Sequence, residues 1–260
     1  MGRSVVVTRA PTQAAGFAEA LRAYGATPIF LPTIRIAPPA NGAALAEAAR
    51  HIHSYGLVVL GSLNAASALA AALKSQGQRC AAPIACVGSK TAQALLAQSQ
   101  LREVLQGELL CPDVYRAEAL VAEVQLRFAD RGGMAGLKVL HPRAAEGREI
   151  VQDRLTDFGA AVDAVEAYRI VAAGPPNPET LELAQQADAV TFLSGQTMSA
   201  WNSVVPASMA QDILRQAVVA VIGPVAAERA AALGIRVDVV PERATAEDLI
   251  QALDARFLKR

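Results

Sequence analysis

Short apolar runs alternate with amphipathic stretches along the whole chain. The run at 5–7 ends at Thr8 and Arg9, and Pro11 follows where the first turn of a helix tolerates a residue without an N–H. The helix predicted there sets Phe17, Leu21 and Tyr24 on one face and stops at Gly25, a good C-terminal cap. Val151, Leu155 and Phe158 make the same stripe before Gly159. Continuous apolar runs at 57–60, 84–87, 190–193 and 218–222 suit strands covered on both faces, as in parallel sheets. Stretches rich in Ala, Leu and Glu lie between them. The pattern predicts a doubly wound α/β fold made twice.

The two halves share a register. "FLPTIRIAPPA" and "AVEAYRIVAAGPP" both carry Arg-Ile before a double proline, and their arginines, Arg35 and Arg169, are 134 residues apart. At that offset "VVVTRA" falls on "VLHPRA", with Arg9 on Arg143. With small drifts, "VVLGSLNAASAL" meets "VTFLSGQTMSAW", placing Ser62 on Ser194 and Asn64 on Gln196. "CVGSKTAQAL" meets "VIGPVAAERA", placing Gly88 on Gly223, and "PDVYRAEALV" meets "PERATAEDLI". The matches keep one order, which indicates a tandem duplication of a unit too long for a solenoid repeat.

Composition narrows the classes. A chain of 260 residues favours two domains, and 53% hydrophobic content supports substantial cores. With 24 basic and 24 acidic residues the balance argues against a nucleic-acid binder that works by overall charge. Cys80, Cys86 and Cys111 lack metal-like or disulfide-like spacing and read as thiols in a reducing compartment. Nothing near Met1 resembles a signal peptide, and no apolar run approaches membrane-spanning length. The expectation is a cytoplasmic monomer with a small-molecule substrate and neither a nucleic-acid nor a membrane partner.

In open parallel sheets, ligands bind outside the carboxyl ends of the strands, where helix N-termini present unpaired N–H groups. The turns that carry Arg9, Ser62, Gly88-Ser89-Lys90-Thr91, Arg143, Ser194 and Gly223-Pro224 are such junctions, and together they suit an anion. Neither G-x-G-x-x-G nor G-x-x-x-x-G-K-[ST] occurs, so dinucleotide and nucleoside triphosphate binding lack support. His51 and His53 form an H-x-H pair that reads as solvated surface more readily than as metal ligands. His141 suits an acid-base role or a packing role equally, since its repeat partner is Val7. Ser62 and Ser194 have no Ser-His-Asp context and read as helix caps. No paired carboxylates suggest glycosidase chemistry.

These residues carry a resemblance. "VVVTRAPTQAAGFAEALRAYGATPIFLPTIRI", "CVGSKTAQAL", "VLHPRAAEGREI", "VEAYRIV", "VTFLSGQT", "VIGPVAAERAAALG" and "TAEDLIQAL" together resemble the uroporphyrinogen-III synthase family over nearly the whole chain. The resemblance implies a discontinuous first domain, 1–33 with 173–260, a second domain at 41–165, and linkers at 34–40 and 166–172. The linkers would form a two-stranded antiparallel ladder, with a cleft between the domains. It also implies a reaction needing no metal or organic cofactor. Linear hydroxymethylbilane loses its hydroxyl to give an azafulvene, and the ring closes after the last pyrrole inverts through a spiro intermediate.

By the same resemblance, Tyr168 matches the proposed acid of the return linker, and Ser62, Thr91 and Ser194 match positions near the substrate. A linker aromatic packed against a domain is the alternative for Tyr168. Arg9, Lys90, Arg143 and Arg148 are chosen here as carboxylate contacts, although solvated positions would account for them equally. Asn64, Ser89, Gln196, Gly223 and Pro224 complete the expected binding set. Val225-Ala226 depart from the family pattern, which often has threonine after this Gly-Pro. Two rival readings are a two-domain protein that binds or senses a small anion without catalysis, and a different enzyme acting on an anionic metabolite.

Overall fold

The apolar runs become ten strands: β1 Ser4–Val7, β2 Thr27–Phe30, β3 Ile34–Ala37, β4 Leu57–Leu60, β5 Ile84–Cys86, β6 Leu109–Leu110, β7 Lys138–Ala144, β8 Ala161–Ala172, β9 Ala189–Phe192 and β10 Val218–Val221. The computed structural model describes residues 2–112, 117–146 and 150–258. The chain divides into two units, Met1–Arg35 with Val171–Arg260, and Ile36–Ile170.

In the first unit the sheet order is β10-β9-β1-β2, and every pairing is parallel. One face carries Val6, Val190, Phe192, Val219 and Val221 against Trp201, whose ring meets Phe192 edge to face at 5.6 Å. The indole N–H donates to the Ala210 carbonyl at 3.1 Å, so this large side chain is buried with its polar atom satisfied. The other face carries Val5, Val7, Ala189, Val218 and Ala220 against Phe17, Leu21, Leu249 and Leu253. Helices Pro11–Ala23 and Ala246–Leu258 supply those leucines. Both faces are covered, which is why these strands read as unbroken apolar runs.

The second unit has the order β3-β8-β7-β4-β5-β6. From β8 to β6 the neighbours are parallel. Val58, Leu60, Ile84, Cys86 and Leu140 face one core, and Leu57, Val59, Ala85, Leu110 and Val139 face the other. The helix Ile150–Asp157 buries Val151 and Leu155. Phe158, expected on the same stripe, is 43% exposed, because the helix ends at Asp157 and the chain turns through Gly159 at φ 85°. Gly25 takes the same left-handed conformation, φ 73°, after the helix that matches it.

The repeat reappears as sheet order. β2-β1-β9-β10 matches β8-β7-β4-β5, and the isolated parallel bridge between Ala220 and Val239 stands where β6 pairs with β5. Each unit therefore combines strands from both sequence copies. The first takes β1 and β2 from the first copy and β9 and β10 from the second; the other unit takes the complementary set.

β3 lies beside the distal part of β8. Ala173 N–H donates to Thr33 O at 2.9 Å, Arg169 Nε donates to Pro38 O at 3.1 Å, and Ala40 N–H donates to Glu166 Oε1 at 2.8 Å. The partner falls in number as the first residue rises, so the two segments run antiparallel. The ladder is continuous with the six-stranded sheet, since β8 runs unbroken from Ala161 to Ala172.

Candidate functional site

The fold brings the predicted turns to the carboxyl edges of the two sheets. In the first unit Arg9 follows β1, Ser194 follows β9, and Gly223 and Pro224 follow β10. In the second, Ser62 follows β4, Ser89 and Thr91 follow β5, and Arg143 stands near the end of β7. In each sheet, successive crossovers leave in opposite directions between the β1/β9 or β7/β4 pair, which is where doubly wound sheets open a crevice. Arg9 and Ser194 flank the first such point, and Arg143 and Ser62 flank the second.

Two predicted residues meet in the second unit. The Tyr168 hydroxyl lies 3.0 Å from Ser62 Oγ, and either atom can be the donor. Ser62 also caps the helix Leu63–Ser75, its Oγ accepting the Ala65 N–H at 3.2 Å. Tyr168 is only 8% exposed. A register shift in β8 aims it: Arg143 pairs with Glu166 but Ala144 pairs with Tyr168, leaving Ala167 as an extra residue. The bulge breaks the alternation of faces, and Val165, Ala167, Tyr168 and Ile170 all pack on the same core.

In the first unit a set of buried threonines ties the carboxyl edge together. Thr8 Oγ1 donates to Thr191 O at 2.7 Å, Thr191 Oγ1 donates to Val6 O at 2.7 Å, and Thr33 Oγ1 donates to Thr197 O at 2.6 Å. Thr33 N–H also donates to Thr8 O at 3.1 Å. Thr197 donates through Oγ1 to Ser194 O at 2.8 Å, while its N–H donates to Ser194 Oγ at 3.3 Å. The sequence reading missed all four threonines. Their only signal was a hydroxyl in or beside an apolar run, where threonine also occurs as a simple β-former.

Arg9 is half-buried, its Nε is buried with no hydrogen-bond partner among the described residues, and desolvation lowers its pKa. An Nε–H so placed leaves room for an acceptor, and a carboxylate supplies one in the geometry arginine favours. Arg143 is half-buried beside Glu166 in the β7–β8 register. Asn64 and Ser89 are half-buried and Thr91 is buried, all in the first turns of their helices. Gln196 and Pro224 are exposed. Gly223 is buried, and a Cβ there would come within 2.9 Å of Ala244 Cβ, which accounts for glycine by close packing. Val225 is 72% exposed. Arg148 lies outside the described residues, as does the side chain of Lys90.

His141 is buried, and its Nδ1 has no partner among the described residues. Burial first, and the Arg143 charge second, push its pKa down to about 4. It is therefore neutral near pH 7, where an imidazolium donor is not available from it. His51 pairs with Glu47 at 2.9 Å on the surface, and no group of three metal-ligating side chains occurs among the described residues. Nor, among them, is any helix long and apolar enough to cross a membrane.

Comparison with known proteins agrees with this architecture. The profile of the family described as "Uroporphyrinogen-III synthase HemD" matches residues 15–251. A uroporphyrinogen-III synthase of Synechococcus elongatus is 30% identical over 265 residues, spanning 98% of this chain and 95% of its own. A putative uroporphyrinogen-III synthase of Methanothermobacter thermautotrophicus is 32% identical over 257 residues, spanning 96% of each. Among solved structures, a mutant uroporphyrinogen III synthase of Thermus thermophilus has the same fold, with a TM-score of 0.60 at 14% identity, covering 99% of this chain and 100% of that one.

Proposed function

The chain belongs to the uroporphyrinogen-III synthase family, whose members are cyclising lyases of tetrapyrrole biosynthesis, and from that premise we propose how its own residues serve the reaction. The substrate is hydroxymethylbilane, a flexible chain of pyrroles with acetate and propionate arms. Tyr168 is the acid. Its O–H donates to the departing hydroxyl, the C–O bond breaks as the pyrrole nitrogen lone pair pushes in, and water leaves. The last ring inverts through the spiro intermediate. The proton lost when the closing ring regains aromaticity returns to the Tyr168 oxygen, so the net change is loss of one water.

The observation that carries this reading is the contact between Tyr168 and Ser62. Ser62 Oγ already accepts the Ala65 N–H. Its own O–H is therefore suited to donate to the phenol oxygen, leaving the Tyr168 O–H to point at substrate and stabilising the phenolate once the proton is given up. A phenol is a weak acid, so this assistance matters.

The carboxylate arms fall to the basic and polar groups of the expected set: Arg9, Ser194, Gln196 and the Gly223-Pro224 turn, with Ser62, Asn64, Ser89, Lys90, Thr91, Arg143 and Arg148. Holding many arms at once makes the inverted closure intramolecular and well oriented, which is worth more here than group chemistry. The domains are 1–33 with 173–260 and 41–165, joined by 34–40 and 166–172. The proposal extends to a cytoplasmic monomer without a nucleic-acid partner, in keeping with its balanced charge. Incubating the purified protein with fresh hydroxymethylbilane should yield the type III isomer in place of the spontaneous type I product. An isomer ratio unchanged from the enzyme-free reaction would refute the assignment.

A further inference from the structure

Two of the three cysteines directly follow paired residues of neighbouring strands. β5 and β6 pair in parallel, with Ile84 opposite Leu109 and Ala85 opposite Leu110, so the next step in register sets Cys86 opposite Cys111. The faces agree with that continuation. Ala85 and Leu110 share one core, whereas Ile84, Leu109, Cys86 and Cys111 all pack on the other. Neighbouring strands are about 4.8 Å apart, inside the span of roughly 4.4–6.8 Å between Cα atoms that a disulfide bridges. Opposed residues on parallel strands also project to the same side, as a bridge requires. Cys80 lies elsewhere, at an isolated bridge to Leu105, with its Sγ 3.8 Å from Ala82 O.

We propose that Cys86 and Cys111 form an oxidisable pair, which hydrogen peroxide converts into an intramolecular disulfide across β5 and β6. The half-buried Cys111 is the point of entry, since Cys86 is fully buried. The Cys111 sulfur attacks peroxide, the O–O bond breaks, and Cys111 becomes a sulfenic acid as the first water forms. The Cys86 sulfur then displaces the sulfenic oxygen, which leaves as a second water carrying the Cys86 proton. Two thiols are oxidised and one peroxide is reduced to two waters. Burial, and then the neighbouring Cys111, push the Cys86 thiol up to about 12, which fits a resolving partner that reacts only with an activated neighbour. Gly88 follows Cys86 by two residues and opens the helix Ser89–Ala97, so the bond would pin the base of the turn that carries Ser89 and Thr91.

Mass spectrometry of the full-length protein tests this. After native peroxide treatment and alkylation under denaturing conditions, one thiol of three should react. The protein should be two hydrogens lighter, and dithiothreitol should restore all three. Trypsin should leave peptides 80–90 and 103–116 joined. Because peptide 80–90 holds both Cys80 and Cys86, the link must persist in Cys80→Ala and vanish in Cys86→Ala and in Cys111→Ser. Thermal melts establish that each variant is folded. A link that survives Cys86→Ala, a Cys80–Cys86 loop, covalent dimers alone, or sulfinic acid without a disulfide would each overturn the proposal.

Discussion

The hydroxyl of Tyr168 lies 3.0 Å from Ser62 Oγ, although 106 residues separate them in the chain. A bulge in β8 and a helix cap after β4 jointly create that contact. Tyr168→Phe keeps the packed ring and removes only the hydroxyl. We expect kcat to fall by about 100-fold or more, since positioned acids contribute on that scale and above, with KM within about twofold because ground-state binding is untouched. Isomer-resolved turnover checks it, and an unchanged kcat would remove Tyr168 from the chemistry.

Ser62→Ala loses both the cap on Ala65 and the partner of Tyr168. The cap alone is worth about 1 kcal/mol of stability. In a double-mutant cycle with Tyr168→Phe, the two changes should fall short of additivity by about 0.5 kcal/mol or more, as contacting residues do. Ser194→Ala removes the matching cap on Thr197, and its effect should add to that of Tyr168→Phe. Urea titration of the variants measures all of these terms.

Thr33 spends its hydroxyl on the Thr197 carbonyl inside the first unit. Thr33→Val is close in shape but leaves that buried acceptor short of a donor, at a cost of about 1–3 kcal/mol. The urea midpoint should drop with little change in slope, the mark of altered stability without altered exposure on unfolding.

Arg9 holds a buried Nε with no acceptor among the described residues. Arg9→Gln should raise KM by roughly 10-fold or more, the value of a hydrogen bond to a charged group of about 1.5–3 kcal/mol, with a smaller effect on kcat. Steady-state kinetics decides between this role and a structural one, which would lower thermal stability and leave KM alone.

His141 gives the fold a defined acid sensitivity. Its pKa drops from 6.5 in the unfolded chain to about 4 in the folded one. Above pH 6.5 both states hold a neutral ring and the full contribution is present. As the pH falls from there toward 4 the unfolded chain binds a proton that the native chain excludes, so the unfolding free energy falls by up to about 3 kcal/mol. His141→Leu should flatten that part of the profile in urea titrations between pH 7 and 4; an unaltered slope would show that other groups set it.

Much of the fold was legible because it is local. Unbroken apolar runs of about four residues read as buried parallel strands, and β4, β5, β9 and β10 stand where those runs predicted. Gly25 and Gly159 close matching helices because the left-handed turn needs them. The site was legible only as a set of turns, which the carboxyl-edge rule gathers without saying which side chains meet. Thr33 and Thr197 looked like ordinary polar residues, and the cysteine spacing concealed that the residues before 86 and 111 are strand partners, since a β5–β6 pairing sets that relation and sequence separation does not.

The sequence by itself determined the alternation of strand and helix, the duplication at an offset of 134 residues, and the family to which its motifs belong. Only the tertiary structure decided the strand order within each sheet, that one extra residue at Ala167 turns Tyr168 toward Ser62, and that Ala85 and Leu110, the neighbours of Cys86 and Cys111, are paired. Helix stripes and buried strands are written in spacings of a few residues, so one chain displays them directly. Strand partners and a one-residue shift of register depend on contacts between segments far apart, and these acquire an energy only when the sheet closes.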